Sequence, residues 1–121
     1  MRRALRWMAP CLALAAALVA CSDDNGDQTL PTVVITEPLD GLTVSGQVLI
    51  EAEASDAGGI LRVSFVVDGD ELGDDDTPPY TWDWDSRPYA DGDTHSLLAA
   101  AEDRAGNLAY SEYVVVRVVL P

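Results

Sequence analysis

Residues 48–73 read VLIEAEASDAGGILRVSFVVDGDELG, a run in which apolar and polar side chains alternate. Val48, Ile50, Ala52 and Ala54 share one side of an extended chain, with Glu51, Glu53 and Ser55 on the other. Gly58-Gly59 interrupts the run. Leu61, Val63, Phe65 and Val67 then fall together, opposite Arg62, Ser64 and Asp68. Successive strand side chains point to opposite faces, so each run reads as a half-buried β-strand. Asp68-Gly69 suits the positive-φ positions of a two-residue hairpin, which leads into the brief ELG of 71–73.

The flanking segments continue the pattern. TVVITEP (32–38) is a first strand stopped by Pro38, and LDGLTVSG (39–46) a kinked continuation turning at Gly41 and Gly46. The Asp- and Pro-rich stretch Gly73 to Pro79 reads as a break in the sheet. YTWDWD (80–85) places Tyr80, Trp82 and Trp84 on one face. THSLLAAAED and YSEYVVVRVVL complete the set, with Leu97, Ala99 and Ala101, then Val114, Val116 and Val118, inward. Alanine and leucine in SLLAAAEDRA favour helix. Thr94 ahead of it, Gly106-Asn107 behind it and the β-branched run that follows make it a strand. Short alternating segments separated by turn residues predict an all-β sandwich.

Ahead of this domain the chain has a different character. Arg2, Arg3 and Arg6 precede an apolar stretch from Trp7 to Ala20, the layout of an export signal. It is short for a bilayer span, which needs about 20 apolar residues. Leu18-Val19-Ala20-Cys21 closes it and resembles the lipobox of bacterial lipoproteins: an aliphatic residue three before the cysteine, a small residue just before it, an apolar segment upstream. The resemblance implies cleavage after residue 20. It also implies a thioether-linked diacylglycerol on Cys21, commonly with an N-acyl chain such as palmitate. One acyl chain anchors only marginally, whereas two or more hold stably. The plainer alternative is ordinary signal cleavage that leaves a free thiol. Cys11 would leave with the signal.

Residues 21–31 continue as SDDNGDQTLP after the cysteine, a short, acidic, flexible tether. Ten residues reach at most about 35 Å. Lipoproteins with aspartate directly after the cysteine tend to stay in the inner membrane of diderm bacteria. Ser22 at that position favours the outer membrane if the host has one.

All 21 acidic residues follow Cys21, and four of the seven basic ones remain after residue 20, all arginine. The mature chain is therefore near −17 (4 minus 21). Such a surface repels nucleic acid and anionic headgroups, which argues against a DNA or RNA partner.

Within the domain, PTVVITEPLDGLTVSG, ASDAGGILRVSFVVDGDELG, PPYTWDWDS, DGDTHSLLAAAEDRAGN and the terminal VVVRVV resemble, in order and spacing, successive segments of the bacterial Ig-like domains. Those domains are often appended to secreted glycosidases, peptidases and surface proteins. One extra residue between Gly92 and His95 departs from the pattern and lengthens a turn. The resemblance implies an Ig-like Greek-key β-sandwich of seven to eight strands over residues 32–121, without the antibody disulfide.

Candidate sites are sparse. Asp103, ahead of Ala105-Gly106-Asn107, suits a tight turn in which its carboxylate accepts loop N–H groups. The alternative is a calcium site at one pole formed by Asp56 and Asp103, although calcium needs six to eight oxygens and no regular ligand spacing is present. Asp74-Asp75-Asp76 reads as a solvated charge run that discourages edge pairing. Asp68, Asp70 and Glu71 could extend an acidic rim. Tyr80, Trp82 and Trp84 read as core, with carbohydrate stacking as the alternative if their face is open. His95 reads as a strand residue with a local hydrogen bond. With one histidine, no nucleophile elbow and acids gathered in turns, no enzyme and no cofactor are expected beyond the lipid at Cys21. The expected function is a membrane-anchored, non-catalytic Ig-like module for binding, adhesion or display at the bacterial cell envelope, with an envelope protein or a glycan as partner. The alternatives are a scaffold lipoprotein without a small ligand, or a carbohydrate-binding module.

Overall fold

The computed structural model describes residues 29–121. The signal segment 1–20, Cys21 and most of the 21–31 tether lie outside the described residues.

Alternating side chains build nine strands among the described residues: β1 Thr32–Glu37, β2 Thr43–Val44, β3 Gln47–Ser55, β4 Ile60–Val67, β5 Asp70–Asp75, β6 Tyr80–Asp85, β7 Thr94–Asp103, β8 Leu108–Tyr110 and β9 Val114–Val118. A one-turn 3-10 helix, Arg87–Tyr89, precedes β7. One sheet runs β1-β3-β6. The other runs β2-β9-β7-β4-β5, with β8 also paired to β7. The pairing of β4 with β7 rather than with β6 gives the Greek-key order. All ladders are antiparallel except β2 on β9.

The inner faces meet in one core. Ile35, Ile50, Ala52 and Trp84 of the first sheet pack toward Val63, Phe65, Val67, Leu97 and Val116 of the second. Each large apolar side chain removed from water stabilises the fold by about 1.5–3 kcal/mol.

Three local readings are corrected. Leu61 is only half-buried, and Ile60 packs on the core instead, because the β4–β7 register shifts between Ile60 and Arg62. A bulge of this kind puts two residues against one and moves the next side chain to the other face. The sheet does not break at Gly73: β5 continues through Asp75, with Asp74 opposite Ser64 and Asp75 opposite Val63. Asp75 is a connector rather than a solvated charge, since its carboxylate accepts the N–H groups of Thr77 (3.2 Å) and Thr81 (3.0 Å). Finally, 110–120 is not one strand. Ser111 keeps one backbone bond, its N–H donating to the Ala99 carbonyl at 2.8 Å, but its Oγ takes the place of a carbonyl, accepting the Ala99 N–H at 2.9 Å and donating to the Glu112 carbonyl at 2.9 Å. That break separates β8 from β9. The two-residue β2 and this break raise the strand count above the expected seven to eight.

Candidate functional site

The two poles of the sandwich and the outer face of its larger sheet present the side chains that could meet a partner. Thr32 pairs with Ser55, so β1 begins at the pole formed by the β3–β4 and β7–β8 turns. There Asp56 makes an Asx-type turn, its Oδ2 accepting the Gly58 N–H at 2.9 Å while its carbonyl accepts Gly59 N–H at 3.0 Å. Gly59 takes φ +96, a conformation that costs glycine little. The Arg104 N–H donates to the Gly59 carbonyl at 3.2 Å and joins the two turns. The Asn107 side-chain amide reaches the Thr29 carbonyl at 3.4 Å.

Asp103 is fully buried. Its Oδ1 accepts the N–H groups of Ala105 (3.0 Å) and Asn107 (2.8 Å), and its Oδ2 the Asn107 amide (3.0 Å). The fold thus brings Asp56 and Asp103 to one pole, but the Asp103 carboxylate serves the turn. Among the described residues no group of three or more His, Cys, Asp or Glu is placed to hold a metal ion.

Tyr80, Trp82 and Trp84 do share a face, and it is the inner one. Tyr80 is 6% and Trp84 2% exposed, so neither has an open ring face for a sugar. Trp82 is half-buried over Gly73, where an added Cβ would lie 2.3 Å from Cη2 of its ring. Gly73 therefore serves close approach rather than an unusual φ.

The exposed aromatics lie elsewhere. Cross-strand register sets Ser64, Ala100 and Tyr110 in one row and Arg62, Glu102 and Leu108 in the next. These residues alternate with the buried Val63, Phe65, Ala99 and Ala101, so they form the outer face of the larger sheet. Tyr110 is 62% exposed beside two small side chains, and Tyr113 in the β8–β9 break is equally open. Nothing in YSEY distinguishes an outward tyrosine from an inward one until the break at Ser111 is known. On the smaller sheet, an open groove of about 490 Å³ lies among Thr32, Val34, Glu53, Ser55 and Pro78-Pro79.

At the opposite pole the Asp68-Gly69 hairpin forms as expected, with φ +51 and +87. The Asp68 carboxylate takes the Ser96 N–H at 2.9 Å on Oδ1 and approaches His95 Nδ1 to 2.5 Å on Oδ2. His95 Nε2 lies 2.9 Å from Asp91 Oδ1. This Asp68–His95–Asp91 arrangement was not legible as a unit, although a local hydrogen bond was expected of His95.

An all-β, two-sheet Ig-like sandwich of the fibronectin-III-like type is the class these elements define. A family model described as "Bacterial Ig domain" matches residues 31–99, more than half of the chain, and the chain belongs to that family. The fibronectin(III)-like modules of Clostridium thermocellum CbhA superpose with a TM-score of 0.65 at 23% identity, over 73% of this chain and 96% of theirs. The endo-beta-1,4-mannanase of Thermotoga petrophila superposes with a TM-score of 0.64 at 19% identity, over 78% of this chain. The match spans only 21% of that enzyme. At these identities the likeness is one of fold. No curated protein matches the chain.

Proposed function

We propose that this chain is a lipid-anchored display module of the bacterial cell envelope, its Ig-like domain tethered through Cys21 and used for binding or adhesion. The observation that carries the reading is Leu18-Val19-Ala20-Cys21, which closes an apolar, arginine-led segment directly ahead of an acidic linker and an Ig-like domain. Ser22 after the cysteine favours the outer membrane in a diderm host.

In this reading the tether enters the domain beside the 56–59 and 104–107 turns, at the end of the sandwich opposite the Asp68–His95–Asp91 pole. The partner-facing surface in this reading is the outer face of the larger sheet around Tyr110, where a tyrosine offers a broad apolar ring with a polar tip. An envelope protein or a neutral glycan suits that surface better than a polyanion, which the net charge repels.

Metabolic labelling with radioactive palmitate tests the anchor. Label is expected on the wild-type chain and absent from Cys21→Ala, and label retained by the variant contradicts the proposal.

A further inference from the structure

His95 lies at the start of β7 with both ring nitrogens engaged by carboxylates, 2.5 Å from Asp68 and 2.9 Å from Asp91. An ionised carboxylate only accepts hydrogen bonds, so both nitrogens must donate, which only the imidazolium does. The side chain is 10% exposed. It meets the Tyr89 ring edge-on, with centroids 5.6 Å apart at 82°. Tyr89 meets the buried Trp84 in the same manner, at 5.4 Å and 62°. The two carboxylates belong to different segments, Asp68 to the β4–β5 hairpin and Asp91 to the loop between the 3-10 helix and β7.

We infer that His95 is a protonation-controlled clamp of the pole opposite the tether: charged, it joins the β4–β5 hairpin to the 89–93 loop, and neutral, it releases Asp91. A neutral imidazole keeps a single N–H. Asp68 is the tighter partner, and the Ser96 N–H fixes its other oxygen at 2.9 Å. The remaining proton therefore stays on Nδ1, and the Nε2 lone pair faces Asp91 Oδ1. That contact is repulsive, and Asp91, already half in solvent, turns away.

The loop backbone stays attached to β9. Gly92 N–H donates to the Val118 carbonyl (2.9 Å), Val118 N–H to that of Asp93 (3.1 Å), and the Arg117 guanidinium to that of Gly92. The change is thus confined to the Asp91 side chain and to the packing of Tyr89 on the imidazole. The groups around the ring are Asp68 from the hairpin, Asp91 and Tyr89 from the loop and 3-10 helix, and the uncharged Val116 opposite it on β9. Arg117, the nearest cation along β9, is engaged with the Gly92 carbonyl.

The electrostatics agree in direction. The Asp68 hydrogen bond raises the His95 pKa above its ordinary 6.5, burial opposes it and Asp91 adds to it. Burial alone would raise the Asp68 carboxyl, but its bonds from His95 and Ser96 outweigh that and hold it below 3.8. The His95 bond also lowers Asp91. A raised histidine stabilises the fold fully below pH 6.5 and loses that contribution as pH rises through the folded value. The depressed carboxylates stabilise above 3.8 and fail only as pH falls through their folded values. The clamp is closed in mild acid and open in alkali.

Because the full chain holds one histidine, its ring can be followed by nitrogen-15 NMR in a titration from about pH 5 to 9. The expected midpoint lies above 6.5, the neutral form is the Nδ1–H tautomer, and Trp84 emission changes with the same midpoint. In Asp91→Asn the amide can accept from or donate to Nε2, so the midpoint should fall toward 6.5 while the ring contact persists. A wild-type midpoint at or below 6.5, or a neutral Nε2–H tautomer, overturns the inference whether or not the variant folds. So does an Asp91→Asn midpoint equal to that of wild type.

Discussion

Asp103→Ala removes the acceptor around which the β7–β8 turn is wound. Three donors lose it at once: the N–H groups of Ala105 and Asn107 and the Asn107 amide, at 3.0, 2.8 and 3.0 Å. A bond to a charged group contributes about 1.5–3 kcal/mol. The three share one carboxylate and are not additive. The exposure of Arg104, Ala105 and Gly106 also lets water reach some of the freed donors. A net loss of about 2–4 kcal/mol follows, a large share of the 5–15 kcal/mol typical of a domain. At roughly 4–8 °C per kcal/mol for a domain of this size, the melting temperature should fall by about 10–25 °C. Urea unfolding followed by tryptophan fluorescence measures the loss, with an unchanged m-value expected because the surface exposed on unfolding is the same. Asp103→Asn keeps one acceptor oxygen and should lose about half as much. A loss below about 1 kcal/mol for the alanine variant would refute the claim that this carboxylate organises the turn.

Gly73→Ala drives a methyl group into the Trp82 ring, 2.3 Å from Cη2, and should cost about 1–3 kcal/mol as overpacking, with red-shifted emission as the ring is displaced. Ser111→Ala leaves the Ala99 N–H, which donates to Oγ at 2.9 Å, without that acceptor, and urea unfolding should show a loss of about 1–3 kcal/mol. Tyr110→Ser, on the exposed face, should change stability by no more than about 0.5 kcal/mol yet abolish capture on a glycan array or by an envelope partner; unaltered capture would move the contact surface elsewhere. Chelator should leave the melting midpoint unchanged, since the Asp103 carboxylate already serves backbone donors, and a lowered midpoint would restore the calcium reading.

The alternation of β3 and β4 was enough to recover two half-buried strands, because one side of each faces a core and nothing else satisfies Val63, Phe65 or Ile50. What the alternation could not carry was anything set by a partner distant in sequence. The shift that demotes Leu61 and promotes Ile60 depends on the β4–β7 register. Gly73 owes its identity to Trp82, on the facing strand, and not to its own dihedral. The Asp74-Asp75 pair looked like loop charge because acids disfavour strands, but pairing to β4 overrides that preference at an edge. His95 and Asp68 stand 27 positions apart, so their contact exists only once β7 lies beside β4. Period-two spacing put Tyr80, Trp82 and Trp84 on one face correctly. Which face was inward needed the second sheet, and the exposed tyrosines emerged at 110 and 113 instead.

The mass of the native protein, extracted from membranes and measured intact, bears most directly on the anchored-module account. The account requires a chain that starts at residue 21 and is heavier than its polypeptide by a diacylglyceryl group, with or without a further acyl chain. A polypeptide of unmodified mass recovered from the soluble fraction would contradict it.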